Sequence, residues 1–234
     1  MTKNLIVTGG SRGIGLAAAE LFQGHGYRVI NLSRSPAPLE GVVNLAVDLG
    51  EADWDRAGAA ELHSLIPDKQ HIVLVHNAGL LREDSALDLD GEALREVLQV
   101  NLVAPVQLNR LALPLMEQGS AILYVGSTLS VKAVANTCSY STSKHALAGL
   151  MRATCQDLAG SGIHTACVCP GFTETDMLRE LAGHDAAVLD SLTENVTMGR
   201  LIDPVEIAET LYFCALHPVM NGATVQANLG QFER

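Results

Sequence analysis

Short apolar runs alternate along this chain with longer stretches of helical periodicity. The runs at residues 4–7 (NLIV), 28–32 (RVINL), 42–47 (VVNLAV), 71–75 (HIVLV), 121–125 (AILYV), 163–169 (IHTACVC) and 223–227 (ATVQA) read as strands. The run at 71–75 lacks polar alternation, as expected of a central parallel strand covered on both faces. Helical patterns fall between the runs: residues 16–23, a helix starting near Glu51, roughly 91–117, the stretch from Tyr140 to about Ala159, and 203–216. Strand and helix in alternation predict a doubly wound, parallel α/β sheet of about seven strands with about six helices on both faces.

Three places depart from regular alternation. Residues 35–41 (SPAPLEG) are too short and proline-rich for the usual crossover helix, so a loop should link the second and third strands. Within 91–117, Pro105 has no N–H to give the carbonyl of Asn101, itself a mediocre helix former, and a kink is predicted there. Residues 177–198 read as a helical insertion placed to act as a lid, and Asp203-Pro204 starts the helix that follows in N-cap and N1 style.

The ends of the strands carry the candidate chemistry. After the first comes TGGSRGIG, residues 8–15, opening a helix. Gly9, Gly13 and Gly15 permit a tight turn and close approach of backbone to a pyrophosphate, which meets free N–H groups at the helix start. Ser11, Arg12 and Ile14 complete this dinucleotide-binding loop. A fold that binds NAD usually places an acid at the end of the second strand for the ribose 2′-hydroxyl. Here Ser33 and Arg34 stand there with no acid, and with Arg12 they suit a 2′-phosphate, favouring NADP(H) over NAD(H). Asp48, followed by Leu49, ends the third strand, where its carboxylate either accepts from an adenine amino group or caps the next helix. Asn77, Ala78 and Gly79 end the fourth strand, and Pro170, Gly171 and Thr173 follow the sixth, all bordering the expected ligand crevice.

The stretch 126–149 (GSTLSVKAVANTCSYSTSKHALAG) places Tyr140 and Lys144 one helical turn apart, with Ser127 at the end of the preceding strand. A phenol is a poor acid at neutral pH, and a nearby cation stabilises its phenolate, which makes it a usable proton donor and acceptor. A serine hydroxyl alongside can orient a carbonyl. That apparatus fits reduction of a ketone or oxidation of an alcohol beside a hydride carrier.

Composition narrows the alternatives. A formal net charge of −11 with no basic cluster argues against a nucleic-acid partner. No apolar run approaches a membrane span, and the N-terminal sequence has no signal-peptide pattern, so a cytoplasmic protein is expected. The five cysteines (Cys138, Cys155, Cys167, Cys169, Cys214) form no CxxC pair and read as reduced thiols, and the eight histidines show no metal-ligand spacing.

These motifs, in this order, resemble the short-chain dehydrogenases/reductases over essentially the whole chain, most closely the 3-oxoacyl-carrier-protein reductase-like branch. The resemblance implies one Rossmann-fold domain over residues 1–234, with a coenzyme half to about 118 and a catalytic and substrate half beyond. It implies that Tyr140 is the acid/base, that Lys144 supports it and binds the nicotinamide ribose, and that Ser127 holds the substrate carbonyl. Asn101 would anchor a water relaying protons to Lys144. Asp48 would contact adenine, and Gly171 and Thr173 would lie along the nicotinamide. It also implies a homo-oligomer, dimer or tetramer, built from the helices near 91–117 and 140–159. The expected activity is NADP(H)-dependent reduction of a small carbonyl compound, with an NAD-linked alcohol or dihydrodiol dehydrogenase, or a non-catalytic dinucleotide sensor, as alternatives. Two departures stand out: the lost helix after the second strand, and a C-terminal GATVQANLGQFER in which Asn228 replaces the usual acid.

Overall fold

A computed structural model describes residues 2–232. Seven strands, β1 (Lys3–Thr8), β2 (Arg28–Ser33), β3 (Val43–Ala46), β4 (His71–His76), β5 (Ala121–Val125), β6 (His164–Pro170) and β7 (Ala223–Ala227), form one parallel sheet in the order β3-β2-β1-β4-β5-β6-β7. Alternate side chains point to opposite faces, so β1, β2, β4, β5 and β6 each feed two cores. On one face Ile6, Ile30, Leu74, Ile122 and Tyr124 pack with α2 (Trp54–Leu65), α4 (Ala104–Ala112) and α5 (Cys138–Asp157). On the other, Leu5, Val7, Val73, Val75 and Leu123 meet α1 (Gly13–Gly24) and α8 (Pro204–Leu216) through Ala18, Phe22, Ile207 and Leu211. The predicted parallel α/β sheet is what forms, with eight α-helices rather than about six among the described residues.

No helix lies between β2 and β3. The loop is tied instead by Asn44, whose Oδ1 accepts from Ala37 N at 2.8 Å and from Asn31 Nδ2 at 2.9 Å, while Gln23 Nε2 donates to Glu40 O at 2.8 Å. The kinked helix expected over 91–117 is four pieces. Helix α3 (Gly91–Leu98) runs through a π-helical turn (Gln99–Val103) into α4, and a 3-10 turn (Leu113–Leu115) follows. Pro105 denies residue 101 its ordinary i+4 partner, and the chain accommodates this by widening one turn. The insertion expected over 177–198 is two short helices, α6 (Asp176–Leu181) and α7 (Ala186–Thr193). They are parted by Gly183 and His184, both in the left-handed region. Asp48 caps no helix, because α2 starts at Trp54; its Oδ1 accepts from Gly50 N at 2.9 Å within a turn.

Candidate active site

The strand order reverses between β1 and β4, which opens a crevice at their C-terminal ends. One hydroxyl ties the two strand ends together there. Thr8 Oγ1 accepts from the N–H groups of Asn77 and Ala78, each at 3.0 Å, and Asn77 Nδ2 donates to the carbonyls of Thr8 (3.0 Å) and Gly9 (3.1 Å). The loop itself needs its glycines. Gly9 and Gly13 have φ of 68° and 56°, and a Cβ on Gly15 would lie 2.3 Å from Gly9 O and 2.5 Å from Asn77 Nδ2. The Arg12 side chain does not cap α1, so the first-turn N–H groups of that helix face the crevice with no side chain on them. A cradle of bare backbone donors at a helix N-terminus fits a dinucleotide pyrophosphate.

Asn31 is a contributor that the sequence did not reveal. It lies almost wholly buried in β2, accepts from Gly10 N at 2.8 Å, and donates to Ser33 Oγ at 2.9 Å, which fixes both the glycine loop and the strand end. An asparagine inside an apolar run was the available signal, since a buried amide demands partners. Arg34 is exposed at the mouth, and among the described residues no ion pair engages it. Arg12 reaches across the crevice to α6, 3.3 Å from Asp176 Oδ2 and 3.7 Å from Glu180 Oε1, all three side chains more than half exposed. Leu49, next to Asp48, is buried, and its carbonyl accepts from Gln99 Nε2 at 3.2 Å.

The catalytic candidates converge beyond β5. Tyr140 is 8% exposed in the first turn of α5, and Lys144 Nζ lies 5.4 Å from the centroid of its ring. Lys144 is 3% exposed and donates to Val125 O at 2.9 Å; among the described residues no carboxylate pairs with it. An ammonium carries three donors, so two remain for other acceptors. Across from it stands Gly79, where an added Cβ would come within 3.7 Å of Lys144 Nζ and 3.8 Å of Asn101 Oδ1. Both ends of the Asn101 amide are held: Oδ1 accepts from Leu80 N (2.7 Å), and Nδ2 donates to Leu80 O and Ser143 Oγ (2.9 Å each).

Ser127 caps a 3-10 turn (Thr128–Ser130). Its Oγ accepts from Leu129 N at 3.1 Å, leaving the hydroxyl hydrogen free to donate, and its own N–H is held by Ser130 Oγ at 3.1 Å. Behind it, the sulfurs of Cys167 and Cys169 lie 3.8 Å apart against Gly126. Sharing one hydrogen bond drives these thiols in opposite directions, Cys167 up and Cys169 down, with Ser130 also favouring the Cys169 thiolate. All five cysteines are free.

On the far side, Gly171 N donates to Ala227 O at 3.1 Å and Thr173 Oγ1 donates to Gly171 O at 3.1 Å. Pro170 pairs with Ala227 in the sheet register. A Cβ on Gly171 would sit 3.0 Å from Asn228 Cα, so the unusual C-terminal segment presses on this edge of the crevice. Thr175 caps α6 and packs on Gly13, which brings the start of α6 onto the glycine loop.

A family model described as short chain dehydrogenase matches residues 3–186. Carbonyl reductase family member 4 of Xenopus tropicalis is 32% identical over 231 residues, covering 95% of this chain and 94% of that protein. The human 3-oxoacyl-[acyl-carrier-protein] reductase is 31% identical over 233 residues, covering 95% and 94%. Among solved structures, a 3-oxoacyl (acyl-carrier-protein) reductase from Agrobacterium tumefaciens with NADP bound superposes with a TM-score of 0.87 at 26% identity. That match covers 97% of this chain and 93% of that one.

Proposed function

The chain belongs to the short-chain dehydrogenase family of oxidoreductases, and from that premise we propose that it is an NADP(H)-dependent reductase of a small ketone or 3-oxoacyl thioester. The observation that carries the reading is the buried Lys144 ammonium. It has no acidic partner among the described residues and is poised over Tyr140 with donors to spare. A nicotinamide dinucleotide in the glycine cradle supplies the hydride. Ser127 donates its free hydroxyl hydrogen to the substrate carbonyl oxygen and orients it. Tyr140 gives that oxygen its proton, and Lys144 stabilises the charge left on the phenol oxygen. Run backwards, the same groups take the proton from an alcohol.

The preference for NADP(H) rests on exposed Arg34 and on Arg12 at the crevice mouth, with amides and hydroxyls rather than an acid at the end of β2. The Arg12 contacts with the lid are solvent-exposed and weak, so a phosphate can replace them. The solved relative that carries NADP supports this preference. A 3-oxoacyl thioester substrate, reduced at its ketone, is supported by the names of the relatives and by the apolar residues Met177, Leu181 and Val188 of the proposed lid, each more than a third exposed. Among the described residues, no helix is long and apolar enough to cross a membrane. Half-exposed Val106 on α4 is consistent with the further proposal of a homo-oligomer, and we place the protein in the cytoplasm.

The test is NADPH consumption with an acetoacetyl thioester, by the wild-type protein and by Tyr140→Phe. Turnover that falls at least 100-fold in the variant is expected, since acid/base catalysis contributes about 10²–10⁴-fold. A variant that keeps more than about a hundredth of wild-type turnover removes Tyr140 from the role.

A further inference from the structure

Helix α5 begins without a cap of its own. Thr137 occupies the N-cap position yet makes no side-chain cap bond, and the first turn contains no acid. The cap comes from Asp84, in the loop after β4. Its Oδ1 accepts from Ser139 N at 2.8 Å, its Oδ2 accepts from Ser139 Oγ, and its backbone carbonyl accepts from Cys138 N at 3.1 Å. In return Asp84 N donates to Asn136 O at 3.2 Å. Four residues earlier the same loop is gripped at Leu80 by Asn101, which also donates to Ser143 Oγ, and Ser143 Oγ donates to Tyr140 O at 2.7 Å. Asp84 directly, and Leu80 by way of Asn101, therefore hold α5 on both sides of Tyr140, at Ser139 before it and at Ser143 after it. The Arg82–Glu96 ion pair fastens the loop to α3.

We propose that Asp84 is a positioning residue for Tyr140: its carboxylate fixes the first turn of α5, and so sets where the phenol stands relative to Lys144 and the substrate carbonyl. The inference rests on Tyr140 being the acid/base. A misplacement of about 1 Å at a reacting group is enough to cost on the order of 100-fold in rate, while the glycine cradle lies on other elements and is untouched. Loss of the cap therefore affects turnover far more than coenzyme binding, whose main hold is the glycine cradle. Asparagine at 84 keeps one acceptor oxygen for Ser139 N and restores much of the effect.

The experiment compares Asp84→Ala and Asp84→Asn in the full-length protein by two readouts. The first, amide hydrogen exchange at Ser139 and Ser141, needs no substrate. Exchange at least tenfold faster in Asp84→Ala, and close to wild type in Asp84→Asn, is expected. The second is turnover of an acetoacetyl thioester with saturating NADPH, alongside the NADPH dissociation constant. A fall of at least tenfold in kcat for Asp84→Ala is expected, with that constant within twofold of wild type and Asp84→Asn recovering most of the rate. Unchanged exchange in Asp84→Ala overturns the cap. Faster exchange with unchanged kcat, or a rate loss matched by weakened NADPH binding, overturns the positioning role. A wild-type protein inert toward all carbonyl probes counts against the reductase reading, and the exchange readout still decides the cap.

Discussion

His76, the last residue of β4, titrates far from where an exposed imidazole does, and this makes the protein's stability depend on pH in a calculable way. The ring is buried, stacked on Tyr124 with centroids 4.8 Å apart. Its Nε2 lies 2.8 Å from Asn109 Oδ1, and Asn109 Nδ2 donates to the Tyr124 hydroxyl at 2.8 Å, which assigns the imidazole hydrogen to Nε2. Nδ1 has no partner among the described residues. Burial pushes the pKa from the ordinary 6.5 down to about 4, against a smaller opposing effect of the Asn109 hydrogen bond. The unfolded chain takes up a proton at His76 as the pH drops through 6.5, and the folded protein does not until about 4. Stability is therefore lost on acidification across that interval, and the loss levels off below it. At about 1.4 kcal/mol per pH unit the whole interval amounts to about 3 kcal/mol, of which about 2 kcal/mol is gone by pH 5. Urea unfolding of the wild type and of His76→Gln, at pH 8, 6 and 5 and one protein concentration, isolates the contribution, because every other titrating group is common to both. Glutamine stays neutral and keeps an N–H for Asn109. The wild type should lose about 2 kcal/mol more than the variant between pH 8 and pH 5. Parallel pH dependences would refute the argument.

Two further substitutions probe the crevice. Gly15→Ala puts a methyl group where Gly9 O and Asn77 Nδ2 already stand, 2.3 and 2.5 Å away. NADPH binding followed by fluorescence should weaken at least tenfold, and a dissociation constant within twofold of wild type means the loop does not cradle the coenzyme. Asp176→Asn with Glu180→Gln frees Arg12 from the lid. By the scale of exposed ion pairs, NADPH should bind about two- to fivefold tighter with NADH unaffected; an equal shift for both coenzymes removes Arg12 from 2′-phosphate recognition.

The sequence by itself determined the elements that local chemistry controls. Apolar runs of strand length placed all seven strands; the central ones, buried on both faces, need little more than uninterrupted β-forming residues. The glycines of residues 8–15 and the Tyr140–Lys144 spacing were legible for the same reason: a tight turn and a shared helical face are short-range consequences of residue type and interval. The short β2–β3 loop was legible from its prolines and length. What only the tertiary structure decided depends on partners distant in the chain. Pro105 announced a disturbance, but not that it takes the form of a π turn where Asn101 binds Leu80, 21 residues away. Asp48 looked equally able to cap a helix until α2 began six residues later. Asn31 gained its role from Gly10 and Asn44, Asp84 from Ser139, and His76 its depressed pKa from burial among Asn109 and Tyr124. A buried polar group takes its meaning from whichever donor or acceptor the fold brings within about 3 Å, and that juxtaposition leaves no mark in local propensity or periodicity.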